Sequence, residues 1–174
     1  MSILPIRLYP DPVLRAKCRE VLDLGHSFQR LVEDMIDTMH AAPGIGLAAP
    51  QVGVDLRLAV VDLSVGEDPE GLLVLVNPRI VERRGEESET EGCLSLPGIT
   101  DKVERPSWIL VEALDRDGSE IEIEAEDLMA RAICHELDHL DGVLFTDHLR
   151  GLRRERAKRS LKKLAEEQET AVLA

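Results

Sequence analysis

Two hydrophobic periods run along this chain. Between residues 27 and 39, Phe28, Leu31, Val32, Met35, Ile36 and Met39 recur at three- and four-residue steps, which gathers them on one side of a helix. A second helix is predicted from Leu128, Ala132, His135 and His139 at helical steps, flanked by Met129, Ile133, Leu137 and Leu140, with Asp127 as its N-cap and Gly142 as its stop. Between the two, apolar residues collect in runs short enough for strands, at 56–63, 72–76, 109–114 and 121–124. Asp115, Arg116, Asp117 and Gly118 form a turn between the last two runs. Helix, strands, then helix, without regular alternation, predicts an α+β fold with mainly antiparallel β-sheets.

The second helix carries chemistry as well as packing. His135, Glu136 and His139 place two imidazoles one turn apart with a carboxylate beside them, an arrangement that closes on one cation and holds a water against it. A hydrolytic metal takes three protein ligands and keeps a position open, so one more donor is required. Downstream, Gly142 continues the extended metzincin pattern, yet Phe145 occupies the place of its third histidine and cannot ligate. Glu155 and Glu166 lie in a basic tail, a poor setting for a buried site. The better candidate is Cys93, in the run Glu91, Gly92, Cys93, Leu94, Ser95, where the glycine allows close backbone approach.

Three separated motifs in one order carry a resemblance: Gly44, Ile45, Gly46, Leu47, Ala48, Ala49, Pro50 and Gln51; the Cys93 run; and the histidine helix. Together they resemble the signature of the peptide deformylases. Tyr9 to Arg15 and the pair Asn77 and Pro78 extend the match over nearly all of the chain to about residue 149. The resemblance implies antiparallel sheets packed around a central metal-binding helix, with an N-terminal and a C-terminal helix. It makes residues 1–149 the catalytic domain and 150–174 its basic C-terminal helix or tail.

By the same resemblance Cys93, His135 and His139 bind one divalent ion, Glu136 is general base and acid, and the Gln51 amide with the Leu94 backbone N–H receives the oxyanion. Gly44, Ile45 and Gly46 would pair with an extended substrate peptide, and Ile45, Leu94, Leu128 and Ala132 would line a methionine pocket. The implied reaction releases formate from the N-formyl-methionyl end of nascent peptides. The donor chemistry agrees independently: one thiolate and two neutral imidazoles leave a divalent ion with about +1 formal charge, still able to bring the pKa of bound water toward neutrality. Family precedent favours Fe2+, and softness and geometry also admit Zn2+, Ni2+ or Co2+. Gly44 and Gly46 are no phosphate loop, since no third glycine and no Lys-Ser/Thr follow.

Arg131 and Cys134 stand out on the histidine helix. Cys134, about 100° around from His135, is expected to pack as a small hydrophobe, and Arg131 to snorkel its charge out to water along its stem. Glu91 and Arg105 are a possible pair holding the Cys93 loop. His26, His40 and His148 have no ligand spacing and are read as surface or packing residues.

Composition narrows the class. Of 174 residues 44% are hydrophobic, enough for one domain with a real core, and no apolar run reaches membrane-spanning length. The opening segment, broken by Pro5, lacks a long apolar region, and an odd count of three cysteines argues for a reducing compartment; a cytoplasmic monomer without membrane contact is the expectation. The net charge of −13 is uneven: residues 150–164 carry +7, leaving −20 elsewhere. The plain reading of that segment is a solvated terminal helix; the resemblance adds docking to the ribosome through phosphate contacts. Two other functions compete: a small HExxH metalloprotease, which would want a third ligand after His139, and a non-enzymatic module holding a structural ion, which would want a fourth.

Overall fold

The computed structural model describes residues 2–172. Helix α1 (His26–Ala41) is followed by strands β1 (Gly46–Ala48), β2 (Leu58–Val61), β3 (Leu73–Arg84), β4 (Glu87–Gly92), β5 (Thr100–Arg105), β6 (Trp108–Leu114) and β7 (Glu120–Glu126). Helices α2 (Asp127–Leu140) and α3 (Gly151–Val172) complete the order. Five strands form one antiparallel sheet in the order β1-β2-β3-β6-β7, and β4 and β5 form a separate two-stranded ribbon. The fold is α+β with antiparallel sheets, as the pattern predicts.

Side-chain alternation explains how the sheet holds two helices. Leu58 and Val60 of β2 and Val76 of β3 join Phe28, Val32, Met35 and Met39 of α1 in one cluster. Their alternating neighbours Val61 and Leu75 join Ile109 and Val111 of β6 and Ala130, Ile133 and Leu137 of α2 in another. β2 is therefore buried on both faces, and its sequence is correspondingly a continuous apolar run. A third cluster brings Ala157 and Leu161 of α3 against Leu14, Leu96, Val103, Leu144 and Phe145. The C-terminal helix thus has a packed face, while its arginines and lysines stay exposed.

Several boundaries differ from the sequence reading. The run at 72–76 is only the start of β3, which continues through Pro78 to Arg84 opposite β6. Proline removes a ladder donor, and here it sits at a register shift between Val76 and Arg79. Asn77, at φ 50°, turns its side chain onto the Val21 backbone, accepting from its N–H at 2.8 Å and donating to its carbonyl at 3.0 Å. The short strand β1 and the ribbon strands β4 and β5 lie outside the apolar runs of the sequence. β4 reads Glu-Ser-Glu-Thr-Glu-Gly and has no apolar residue to alternate, so its buried position is Glu91. At the start of α2 the cap is Glu126, without a side-chain hydrogen bond, and Asp127 is the first helical residue at φ 49°. Asp127 is therefore not the N-cap. Gly142, at φ 72°, does follow the helix end in the left-handed conformation that a glycine accepts without penalty.

Candidate metal centre

Helix α2 is held by apolar residues on its sheet side, which turns its histidines toward the ribbon. Cys93, just past the end of β4, meets them there. The ligating atoms of Cys93, His135 and His139 all lie within 4.8 Å of one another, and Cys93 Sγ is 3.3 Å from His139 Nε2. Metal bonds of about 2.0–2.3 Å from sulfur and imidazole fit such spacings with one ion between them.

Each ligand is prepared by its surroundings. His135 Nδ1 lies 2.9 Å from Glu91 Oε2; although burial opposes it, the Cys93 sulfur and that carboxylate hold the imidazole well above its ordinary value, and a cation at Nε2 would displace the proton there while Glu91 keeps the one on Nδ1. Burial lowers His139 to about 3, helped by the neighbouring His135, and the imidazole is neutral as a ligand must be. The two rings meet edge to face with centroids 5.0 Å apart. Phe145, in the place of a third histidine, stacks against His135 at 6.1 Å and packs the centre.

Glu136 is 4% exposed, and its Oε2 has no hydrogen-bond partner among the described residues. Burial first, then the like charges of Glu91 and Asp138, raise its carboxyl to about 7, although His135 and Arg105 pull the other way. A carboxyl so placed takes up and returns a proton near neutrality. Its space depends on Gly46: a Cβ there would lie 2.9 Å from Glu136 Cδ and closer still to Oε1. Gly46 thus makes room for the acid within the protein itself, a role that the sequence reading did not include.

Gln51 is buried in the short 3₁₀ turn after β1. Its Oε1 accepts from the Ala48 N–H at 2.9 Å, which points Nε2 at Ser95 Oγ (3.2 Å) and Cys93 Sγ (3.6 Å). The amide donor therefore faces the cysteine. Gly44, Ile45, Gly46, Gln51, Leu94, Leu128, Ala132, His135 and Glu136 all border one cavity of about 380 Å³. Leu128 is half exposed at its rim.

Behind the ligands runs a network that the sequence only hinted at. Glu91 receives Arg105 Nε and Nη2 at 2.7 and 2.9 Å, as the possible pairing suggested. These bonds and those with His135 overcome burial and bring its carboxyl to about 2. Arg105 Nη1 continues to Asp138 at 2.6 Å, and Asp138 to His148 at 2.7 Å. His148, read as a surface or packing residue, is indeed exposed and forms the outer end of this network. Arg131 does not snorkel. It is 5% exposed, with its charge turned inward to Glu91 and to backbone carbonyls of the ribbon. Snorkelling leads only to water, and here an anion and three carbonyls lie within reach. Cys134 is buried as a small hydrophobe, and burial raises its thiol to about 11.

With this geometry in place, comparison with known proteins decides the family. The sequence model of polypeptide deformylase matches residues 3–155. The chain belongs to the polypeptide deformylase family. It is 50% identical over 162 residues to the peptide deformylase of Thermodesulfovibrio yellowstonii, covering 93% of this chain and 98% of that one. The crystal structure of a peptide deformylase from Legionella pneumophila superposes with a TM-score of 0.88 at 45% identity, covering 97% and 98% of the two chains. That of Synechococcus elongatus, in complex with actinonin, gives 0.85 at 36% identity over 97% and 89%. The enzyme is thus a member of a metal-dependent hydrolase family, and a Cys-His-His cluster stands where a metal would be held.

Proposed function

We propose that the enzyme removes the formyl group from the formyl-methionyl end of newly made polypeptides, releasing formate and a free amine. The observation that carries this reading is the meeting of Cys93, His135 and His139 with the buried carboxylate of Glu136 beside a largely apolar cavity. The centre holds one divalent ion, Fe2+ in preference to Zn2+, Ni2+ or Co2+, which when bound supplies Lewis acidity and acidifies water.

The chain's own residues do the remainder. Glu136 accepts the proton of the attacking water and passes it to the leaving amine, so one carboxyl serves both steps. The Gln51 Nε2 donor, aimed at the cysteine side of the centre, and the Leu94 N–H stabilise the oxyanion; a donor of this kind is typically worth about 2.7–4 kcal/mol of barrier. Ile45, Leu94, Leu128 and Ala132 receive the methionine side chain, and Gly44, Ile45 and Gly46 pair with the extended peptide backbone. Actinonin, bound by the Synechococcus relative, is expected in the same cavity.

Residues 1–149 act as the catalytic domain and 150–174 as its basic tail. The enzyme works as a cytoplasmic monomer, consistent with three free cysteines and no helix long and apolar enough to cross a membrane among the described residues. Arg156, Arg159, Lys162 and Lys163 lie on the side of α3 away from Ala157, Leu161 and Leu164 and are offered to ribosomal phosphates. Reversing those charges to glutamate spares the face that packs on Leu14 and Phe145; cosedimentation unchanged by the reversal rejects that docking.

The deciding experiment measures formate release from formyl-Met-Ala-Ser by anaerobically purified enzyme, with metal content determined on the same sample. Release that disappears in Glu136→Ala while the metal stays bound is the expected result. No release from metal-loaded enzyme rejects the reading and leaves a structural ion in its place.

A further inference from the structure

Arg131 is an unusual residue to find one helical turn before a metal ligand, fully desolvated and on the wall of the substrate cavity. Its charge is spent away from that cavity. Nη1 donates to Glu91 Oε1 at 2.9 Å, to the Val103 carbonyl at 2.8 Å and to the Glu89 carbonyl at 3.4 Å; Nη2 donates to the Glu87 carbonyl at 3.0 Å. One side chain of α2 therefore grips the main chain of both ribbon strands.

The ribbon needs such a grip. β4 brings no apolar side chain to the core, and β5 brings Val103. Yet β4 leads directly into Cys93, whose distance to the two imidazoles decides whether a cation is held. Two other links join ribbon and helix, Glu91 to His135 and Arg105 to Asp138, and both run between side-chain tips. Only backbone contacts locate a strand irrespective of side-chain rotamers, and among these three links only Arg131 makes them.

We infer that Arg131 is a positioning residue for the Cys-His-His centre: by tying the backbone of β4 and β5 to α2, it sets Cys93 against His135 and His139. This inference rests on the metal-centre reading above. It assigns the Arg131 guanidinium to the ribbon and leaves its aliphatic stem to the cavity, so side-chain selectivity in that cavity is insensitive to the charge.

The test uses Co2+ as probe, titrated into full-length, reduced apo-protein under anaerobic conditions and followed by the thiolate-to-cobalt charge-transfer band. In R131M, which keeps length and an apolar cavity wall, the Co2+ dissociation constant is expected to rise about 10–100-fold, the range typical of lost partners behind metal ligands. Amide exchange is expected to quicken in residues 87–92 while β3 and β6 keep their protection. R131K retains a cation but cannot span four acceptors; a threefold or larger rise is expected there, and this variant carries the test if R131M does not fold. A purely structural role would lower the urea midpoint and leave the Co2+ affinity of the folded protein unchanged. R131M or R131K binding Co2+ as wild type does, with ribbon exchange unaltered, overturns the inference alone. A wild-type protein without the thiolate band overturns the metal-centre reading and the inference with it.

Discussion

The five-stranded sheet and the β4-β5 ribbon are both antiparallel and both press on α2, yet opposite forces hold them there. The sheet meets α2 through Val61, Leu75, Ile109 and Val111, all fully buried, and its alternation alone sets which side chains face inward. The ribbon meets α2 through Glu91, Arg105 and Arg131, charged groups that give up their hydration and recover it only by hydrogen bonding to one another and to backbone. Apolar packing tolerates small displacements at a cost that grows with the volume lost. A buried ion network tolerates few, and for that reason it places a cysteine accurately. The comparison teaches that the frame of this enzyme is specified by shape and its metal-facing strand by charge.

The sharpest way to break this division is Glu91→Gln, which leaves Arg131 buried without its anion and Arg105 with Asp138 alone. A loss of about 3–5 kcal/mol in urea unfolding at pH 7 is expected, the cost of breaking a buried pair by removing one partner. A loss below about 1 kcal/mol would show that the ribbon is held by packing after all. On the sheet side, Leu75→Ala should cost about 3 kcal/mol through cavity formation. Because the sheet does not locate Cys93, the folded variant should bind Co2+ within twofold of wild type; a large loss of affinity would erase the distinction between the two regions.

Asp62, in the loop after β2, asks whether the frame contains a charge of the same kind. It accepts from Ser64 N–H and Oγ–H, from Gly66 N–H, and pairs with His40 at 2.8 Å. Burial would raise its carboxyl, but these bonds bring it from 3.8 down to about 2. The folded state therefore binds fewer protons than the unfolded state between those values. The stability Asp62 supplies is complete above about pH 4 and is lost as pH falls through 2. Asp62→Asn is expected to cost about 1 kcal/mol at pH 7 in urea melts and less than half of that at pH 2. Smallest of all, Arg79→Ala removes an exposed pair with Glu112 at 2.6 Å. It should change stability by less than about 0.5 kcal/mol, and any change should fade in high salt.

What was legible in the sequence follows the same division. The apolar periodicities of α1 and α2 and the runs within β2, β3, β6 and β7 predicted the frame, because each of those elements is paid in hydrophobic burial along a fixed period. The strands β4 and β5 were invisible because their buried positions are Glu91, Val103 and Arg105, and charge pairing across the chain has no period. His135, Glu136 and His139 were found by local spacing, and Cys93 entered as the remaining good donor and by likeness to a family. Arg131 was misjudged because helix spacing says which way a side chain leaves the backbone and not which carbonyls wait at its end. His148 reaches Asp138 from ten residues away, a contact that no local rule contains.

Gly46 and Glu136 share one volume, the glycine's missing Cβ being where the carboxylate sits. Ninety residues apart in the chain, the two positions are thus a single unit of inheritance. A side chain at 46 would push the Glu136 carboxylate out of its present place, and a lineage that loses the acid is freed from that conflict. Among descendants of this fold the two positions are expected to be lost together, so a side chain at 46 would mark a chain that has given up its proton carrier.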